Sequence, residues 1–373
     1  MMFLRPAPPA SSRNLVRSDM DGELPGVEGK TFTSRNFALD LGGTLPQCDV
    51  AYETHGTLNA TGDNAILITH GYTSSAHVAG RYAPGKAAKG VPQDQLGWWD
   101  ALIGPGKAVD TTRYFVVGAN ALGSAHGSSG PNTIDPTTGK PYGPTFPDVT
   151  LRDSVRAQKQ LLDALGVKRL QAVVGPSMGG FQAFQWAVTF PDFMRGIVPT
   201  VTAPAMRGGL SPIETLIERL ATDPNWNGGW YYDNGGIAKV LEDIRYDTLV
   251  QYGQREILAA SIPDPKQREA AIRDTARAWA ATYDGHSLVA LRKAIQRFDI
   301  TAEYGRIKAK VLYVIAPNDK LFPGTIGPGY ATDLRRAGVD ITYVELVTDK
   351  GHLASHADAE QWAPMLRAFL DRL

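Results

Sequence analysis

The sequence predicts an α/β fold: a mostly parallel sheet covered by helices on both faces, with an inserted helical lid. Three observations predict it. Short apolar runs recur between turn signals, helix-patterned segments alternate with them, and one long stretch carries helical patterning without a strand-like run.

Taken in order, residues 1 to about 25 carry Pro6, Pro8 and Pro9 and no apolar stretch long enough for a secretory signal, so they are expected to form a flexible leader. Residues 65–69 (AILIT), 114–118 (YFVVG), 170–174 (LQAVV) and 311–315 (VLYVI) are short, β-branched or aromatic, and apolar on both faces. That pattern suits strands buried between two helix layers. Between the second and third lies a helix with Leu151, Val155, Leu161 and Leu162 on one stripe, with Asp148 or Thr150 available as its N-cap. Residues 205–295 hold helical patterns from Ile213 to Leu220 and from Glu269 to Tyr283, broken around Pro224 and Gly228. They are expected to form the lid over the sheet's C-terminal edge, leaving 26–204 and 296–373 as the core. The strand at 311–315 and another at 341–346 resume the alternation.

Composition narrows the function. The 373 residues carry 38 Lys+Arg against 38 Asp+Glu, which gives no electrostatic reason to expect nucleic acid or an anionic membrane as partner. An apolar fraction of 43% is too high for disorder, and no run approaches a membrane span of about 20 residues. Cys48, the one cysteine, excludes an intramolecular disulfide and a cysteine-based metal site. A soluble, cytoplasmic protein is the expectation.

The chemistry begins where the strand at 170–174 runs into Gly175-Pro176-Ser177-Met178-Gly179-Gly180 and then into a helical pattern. Strand, G-x-S-x-G, helix is the layout of a nucleophile elbow, whereas composition alone gives about 0.2 chance matches in such a chain. A serine hydroxyl needs a base, and the base needs a carboxylate to orient it. In the α/β-hydrolase arrangement these follow in the order Ser, Asp, His, each after a later strand. Asp319 lies just past the strand at 311–315 and His352 just past that at 341–346. Alone, Asp319 reads as a turn aspartate and His352 as a loop histidine; in this order and at these strand ends they read as a triad. The oxyanion hole should use the N–H of Met178 and that of Tyr72, in the Thr69-His70-Gly71-Tyr72-Thr73 loop after the first core strand. His70 is expected to orient that loop through hydrogen bonds.

Metal and nucleotide sites fit poorly. His352 and His356 lack the glutamate of a zinc-protease helix, with Gly351 opposing a helix start, and His70 and His77 have no carboxylate cluster in sequence. The Gly123–Pro131 run lacks a phosphate loop's Lys-Ser/Thr ending and reads as a wall or turn beside the pocket.

Further segments carry a specific resemblance. Residues 51–59 (AYETHGTLN), 63–67 (DNAIL), 97–100 (GWWD), 103–108 (IGPGKA), 127–131 (GSSGP), 138–143 (TGKPYG), 153–158 (DSVRAQ) and the Ser177 elbow are similar to the homoserine O-acetyltransferase family. The likeness is dense over 30–200, resumes over 311–352 and is weak in the lid. It implies an α/β-hydrolase fold with a helical lid, a triad at Ser177, Asp319 and His352, and a homodimer formed through the lid. The family's transferases usually carry an Asp immediately after the catalytic histidine, where it pairs the ammonium of homoserine; here that residue is Leu353. A lid arginine should grip the carboxylate, and Arg245 is its candidate. Pro176 and the Gly71–Ser75 loop also depart from the family pattern.

Gly71, Leu353 and Arg245 are therefore expected to face the substrate. Losing one partner of a buried charge contact costs about 2–5 kcal/mol. From this a serine ester hydrolase acting on small neutral acetate esters is expected, without metal or organic cofactor. A neighbouring carboxylate such as Asp349 could instead replace the missing Asp. The alternatives are acetyl-CoA-dependent O-acetylation of homoserine or a related alcohol, and a non-catalytic binding protein.

Overall fold

A computed structural model describes residues 24–206 and 212–373; all of the expected leader but its last two positions lies outside the described residues. The strands in chain order are β1 (Lys30–Ala38), β2 (Thr44–His55), β3 (Ala65–Thr69), β4 (Ile103–Gly104), β5 (Val109–Asp110), β6 (Phe115–Ala119), β7 (Leu170–Pro176), β8 (Met194–Thr200), β9 (Lys310–Ile315) and β10 (Ile341–Glu345). Eight of them form one sheet in the order β1-β2-β6-β3-β7-β8-β9-β10, while β4 and β5 pair separately. From β6 to β10 every pairing is parallel, and β1–β2 and β2–β6 are antiparallel.

Alternation along the central strands divides the core into two layers. Leu67, Val117, Val173, Ile197 and Tyr313 face the layer that holds Val155 and Leu162 of α1 (Leu151–Ala164) and Phe181, Phe184 and Trp186 of α2 (Met178–Thr189). Ile66, Ile68, Val116, Val174 and Val314 face the opposite layer, which contains Trp99, Trp362, Leu366 and Phe369. Burial on both faces explains why these strands read as unbroken apolar runs.

Thr150 caps α1: its hydroxyl accepts from the Asp153 N–H, and the Asp153 carboxylate accepts from the Thr150 N–H. Asp148, the other cap candidate, instead bonds Lys293 and Arg297. Between β8 and β9 the described chain forms α3 (Ile213–Leu220), α4 (Ala238–Tyr252), α5 (Gln254–Leu258), α6 (Pro265–Ala280) and α7 (Gly285–Gln296). These helices build a core of their own around Leu216, Leu220, Leu241, Tyr283 and Leu288. The remaining helices are α8 (Gly327–Arg336), α9 (Ala354–Ala357) and α10 (Ala359–Leu370). No helix among the described residues is long and apolar enough to cross a membrane.

One expectation needs correction, and two loops make contacts that spacing along the chain conceals. Gly351 does not prevent a helical start: it opens a 3-10 turn at φ +57°, a value that suits glycine, and the turn leads into α9. Among the described residues His77 meets a single carboxylate and no cluster: its Nδ1 lies 3.0 Å from Oε2 of buried Glu53, and its Nε2 lies 2.9 Å from the Gln95 carbonyl. This pins β2 to the loop before β4, a contact that spacing along the chain conceals. The glycine-rich run at 123–131 is a tie to β2, with Ser128 and Ser129 hydroxyls accepting from the N–H groups of Ala51 and Asp49.

Candidate active site

β7 turns into α2 at Ser177, which adopts φ 55° and ψ −121°, a strained conformation for a residue with a Cβ. The surrounding glycines make it possible. A Cβ on Gly175 would overlap Thr69 Oγ1, one on Gly179 would overlap the Thr69 carbonyl, and one on Gly180 would overlap the Thr202 side chain. Thr69, at the end of β3, also donates its hydroxyl to the Gly179 carbonyl at 2.8 Å. Thr202 donates to the Ser177 carbonyl, also at 2.8 Å. The elbow is thus held on both flanks.

Three residues far apart in sequence meet here. Ser177 Oγ lies 2.9 Å from His352 Nε2, and His352 Nδ1 lies 2.7 Å from Asp319 Oδ2. Asp319 Oδ1 accepts the Leu321 N–H at 2.8 Å, which fixes the carboxylate. Asp319 and His352 are both buried, and the Tyr252 ring packs against the His352 ring with centroids 4.6 Å apart. This is the geometry of a serine nucleophile, a general base and an orienting acid.

The Gly71–Tyr72 backbone lies beside the nucleophile: a Cβ built on Gly71 would be 3.9 Å from Ser177 Cβ. Met178 opens α2, so its N–H belongs to the first turn, where helical donors lack intrahelical partners. His70 orients this loop, accepting the Ala121 N–H at Nε2 (2.9 Å) while its Nδ1 lies 2.7 Å from the Gly71 carbonyl. Those partners require the neutral Nδ1–H tautomer. Behind it, Trp186 donates to Gln158, Gln158 to Gln182, and Gln182 to the His70 carbonyl. The lid holds the front of the loop. Tyr72 OH donates to the Leu288 carbonyl, Trp279 Nε1 to the Thr73 carbonyl, and Arg245 to the Thr73 hydroxyl.

Burial pushes His70 down to about 4 from an ordinary 6.5. A folded value below the unfolded one contributes stability that is complete above pH 6.5 and is lost as pH falls toward 4. His126 and His55, also pushed down to about 4 by burial, act in the same window. Thermal melts are expected to drop steeply there, at up to about 1.4 kcal/mol per pH unit per histidine. His70→Gln should flatten the slope; an unchanged slope would count against this role.

Two cavities meet at Ser177, sharing Tyr72, Ser177 and Tyr252 in their walls. One is largely apolar, with Phe181, Met206, Ile295 and Phe322 in its walls and Arg292 beside them. The other contains His352, Leu353, His356, Gly71, Thr73 and Arg245. The Arg245 guanidinium lies over the Trp279 ring, 5.1 Å from its centroid, and donates to the Thr73 hydroxyl at 2.7 Å. Gly71, Leu353 and Arg245, proposed from sequence, therefore face the same space. Asp349 does not: its side chain is 75% exposed and pairs with Lys350. Tyr252, common to both cavities, has no signal in the sequence, because nothing local marks an α4 tyrosine as an active-site wall.

A family model described as alpha/beta hydrolase fold matches residues 64–357. The homoserine O-acetyltransferase of Solidesulfovibrio magneticus is 36% identical, covering 93% of each chain. That of Symbiobacterium thermophilum is 37% identical, covering 90% of this chain and 92% of its own. Among solved structures, homoserine O-acetyltransferase from Bacillus anthracis matches at TM-score 0.83 and 28% identity, covering 94% of this chain and 99% of that one. Esterase E22 matches at TM-score 0.83 and 30% identity, covering 92% of this chain and 100% of its own. The curated relatives overturn the expectation of a small-ester hydrolase. That expectation rested on departures at Leu353, Pro176 and the Gly71–Ser75 loop, whereas the cavity beside His352 also holds the Arg245 guanidinium, which a small neutral ester would leave unused.

Proposed function

The chain belongs to the homoserine O-acetyltransferase family of the α/β-hydrolase superfamily, and on that premise we propose that it transfers an acetyl group from acetyl-CoA to the hydroxyl of homoserine. The observation that carries this reading is Arg245 in the cavity on the His352 side, where an acceptor carboxylate can meet a guanidinium. Ser177 Oγ attacks the thioester carbonyl while His352 Nε2 takes its proton, the imidazolium being stabilised by Asp319. The N–H groups of Tyr72 and Met178 receive the tetrahedral oxyanion. On collapse the C–S bond breaks, and His352 returns its proton to the leaving CoA sulfur. Homoserine then enters, His352 removes its hydroxyl proton, and the oxygen attacks acetyl-Ser177. The C–O bond to Ser177 breaks, the serine is reprotonated, and O-acetylhomoserine departs.

The apolar walls of Phe181, Met206, Ile295 and Phe322 suit the acetyl methyl. The leaving thiol and the incoming alcohol both require the His352 side, so they occupy one space in turn. The expected result is homoserine-dependent CoA release with parallel double-reciprocal plots, followed by a thiol-reactive dye. CoA release at the same rate without homoserine, with acetate as product, would overturn the proposal.

A further inference from the structure

The acceptor cavity has an unusual charge balance for a site that takes a zwitterion. Arg245 lines it, and its Nε has no hydrogen-bond partner, although the group is partly buried. No carboxylate lines this cavity among the described residues. The nearest acid in function, Asp319, has one oxygen on His352 and the other on the Leu321 N–H. Asp349 points to solvent with Lys350. At the position immediately after His352, Leu353 presents only carbon. What remains for an ammonium is uncharged: the hydroxyls of Tyr72, Thr73, Ser74, Ser177 and Tyr252 and the His356 ring, whose Nδ1 lies 3.1 Å from the Ser355 hydroxyl.

We propose that this cavity reads the carboxylate of its acceptor and is blind to the amino group, so that ω-hydroxy carboxylates without an ammonium are acylated as readily as homoserine. The inference rests on the transferase reading and narrows it. A carboxylate meets a guanidinium held from two sides, by the Thr73 hydroxyl and the Trp279 ring, so binding it needs little reordering. An ammonium brought into the same space gives up water without gaining an opposite charge, and it enters the field of Arg245. Burial holds His356 down at about 4, so at neutral pH its uncharged ring can accept a hydrogen bond but supplies no negative charge. An ammonium donating to such neutral acceptors gains hydrogen bonds but no ion pair to offset its lost hydration.

The test is an acceptor series with acetyl-CoA and the full-length protein, following CoA release and the acylated product by mass. L-homoserine carries both charges, 4-hydroxybutyrate only the carboxylate, and 3-aminopropan-1-ol only the ammonium. The expected kcat/KM for 4-hydroxybutyrate is within about tenfold of that for homoserine, with aminopropanol about 100-fold or more below both. Leu353→Asp, which places an anion in the cavity, is expected to raise homoserine over 4-hydroxybutyrate by at least about tenfold relative to the parent. A parent protein preferring homoserine by more than about tenfold, or using aminopropanol as well as hydroxybutyrate, overturns the inference and leaves acyl transfer standing. CoA release independent of every acceptor overturns the transferase reading itself, and this inference with it.

Discussion

Replacing Ser177 with alanine is expected to lower turnover by about 10⁴-fold or more, leaving only what binding and the oxyanion donors supply. The residue provides the one oxygen that lies 2.9 Å from the base, and no other hydroxyl is held in that position by the elbow. Alanine keeps the Cβ, so the strain at φ 55° is neither relieved nor increased, and thermal stability should stay within about 0.5 kcal/mol of the parent. Two measurements check this: steady-state CoA release, and the intact mass after brief exposure to acetyl-CoA. The parent should gain one acetyl group and the variant none. A variant retaining a tenth of the parent rate would show that Ser177 is not the nucleophile.

Gly179→Ala is expected to damage both fold and rate, although it adds a single methyl group. That methyl would overlap the Thr69 carbonyl, which is backbone at the end of a fully buried central strand and has no room to retreat. The first turn of α2 must therefore shift, at a cost of about 1–3 kcal/mol for overpacking a dense interior. The shift carries the Met178 N–H and the Ser177 backbone with it, and a displacement of about 1 Å at a reacting group can cost roughly 100-fold in rate. Gly329→Ala provides the control. That position lies inside α8 with nothing within 4 Å of the added carbon, so the change should be neutral or stabilising by up to about 1 kcal/mol. Equal melting curves for the two variants would remove the steric argument.

The parts of the molecule legible in sequence were those whose function is encoded locally. β3, β6, β7 and β9 are buried on both faces and read as apolar runs; the elbow announces itself by three glycines that sterics demand. Asp319 and His352 are legible because strand ends in a parallel sheet collect at one edge. β8 was not marked, since Gly196 and Pro199 break its pattern. β1 is exposed or half-buried except at Phe37, and β2 mixes buried with half-buried positions, so neither has an apolar run to announce it. The glutamine chain from Trp186 to His70 was invisible as well, because polar residues in a helix ordinarily face water. Arg245 is legible as a candidate but its setting is not: only tertiary structure brings a lid guanidinium, a Thr73 hydroxyl and the Trp279 ring together. The expectation of hydrolysis over transfer, which the curated relatives overturn, is drawn without that setting.

The twin hollows on either side of Ser177 have walls that are almost entirely separate, with Tyr72 and Tyr252 the shared exceptions besides the serine. Tolerance for a bulkier acyl chain and taste for a different alcohol can accordingly drift independently, each through its own set of neighbours. Substitutions at Phe181 or Met206 retune the first, and substitutions at Leu353 or His356 retune the second. The chemistry stays fixed while both partners of the reaction are exchanged around it.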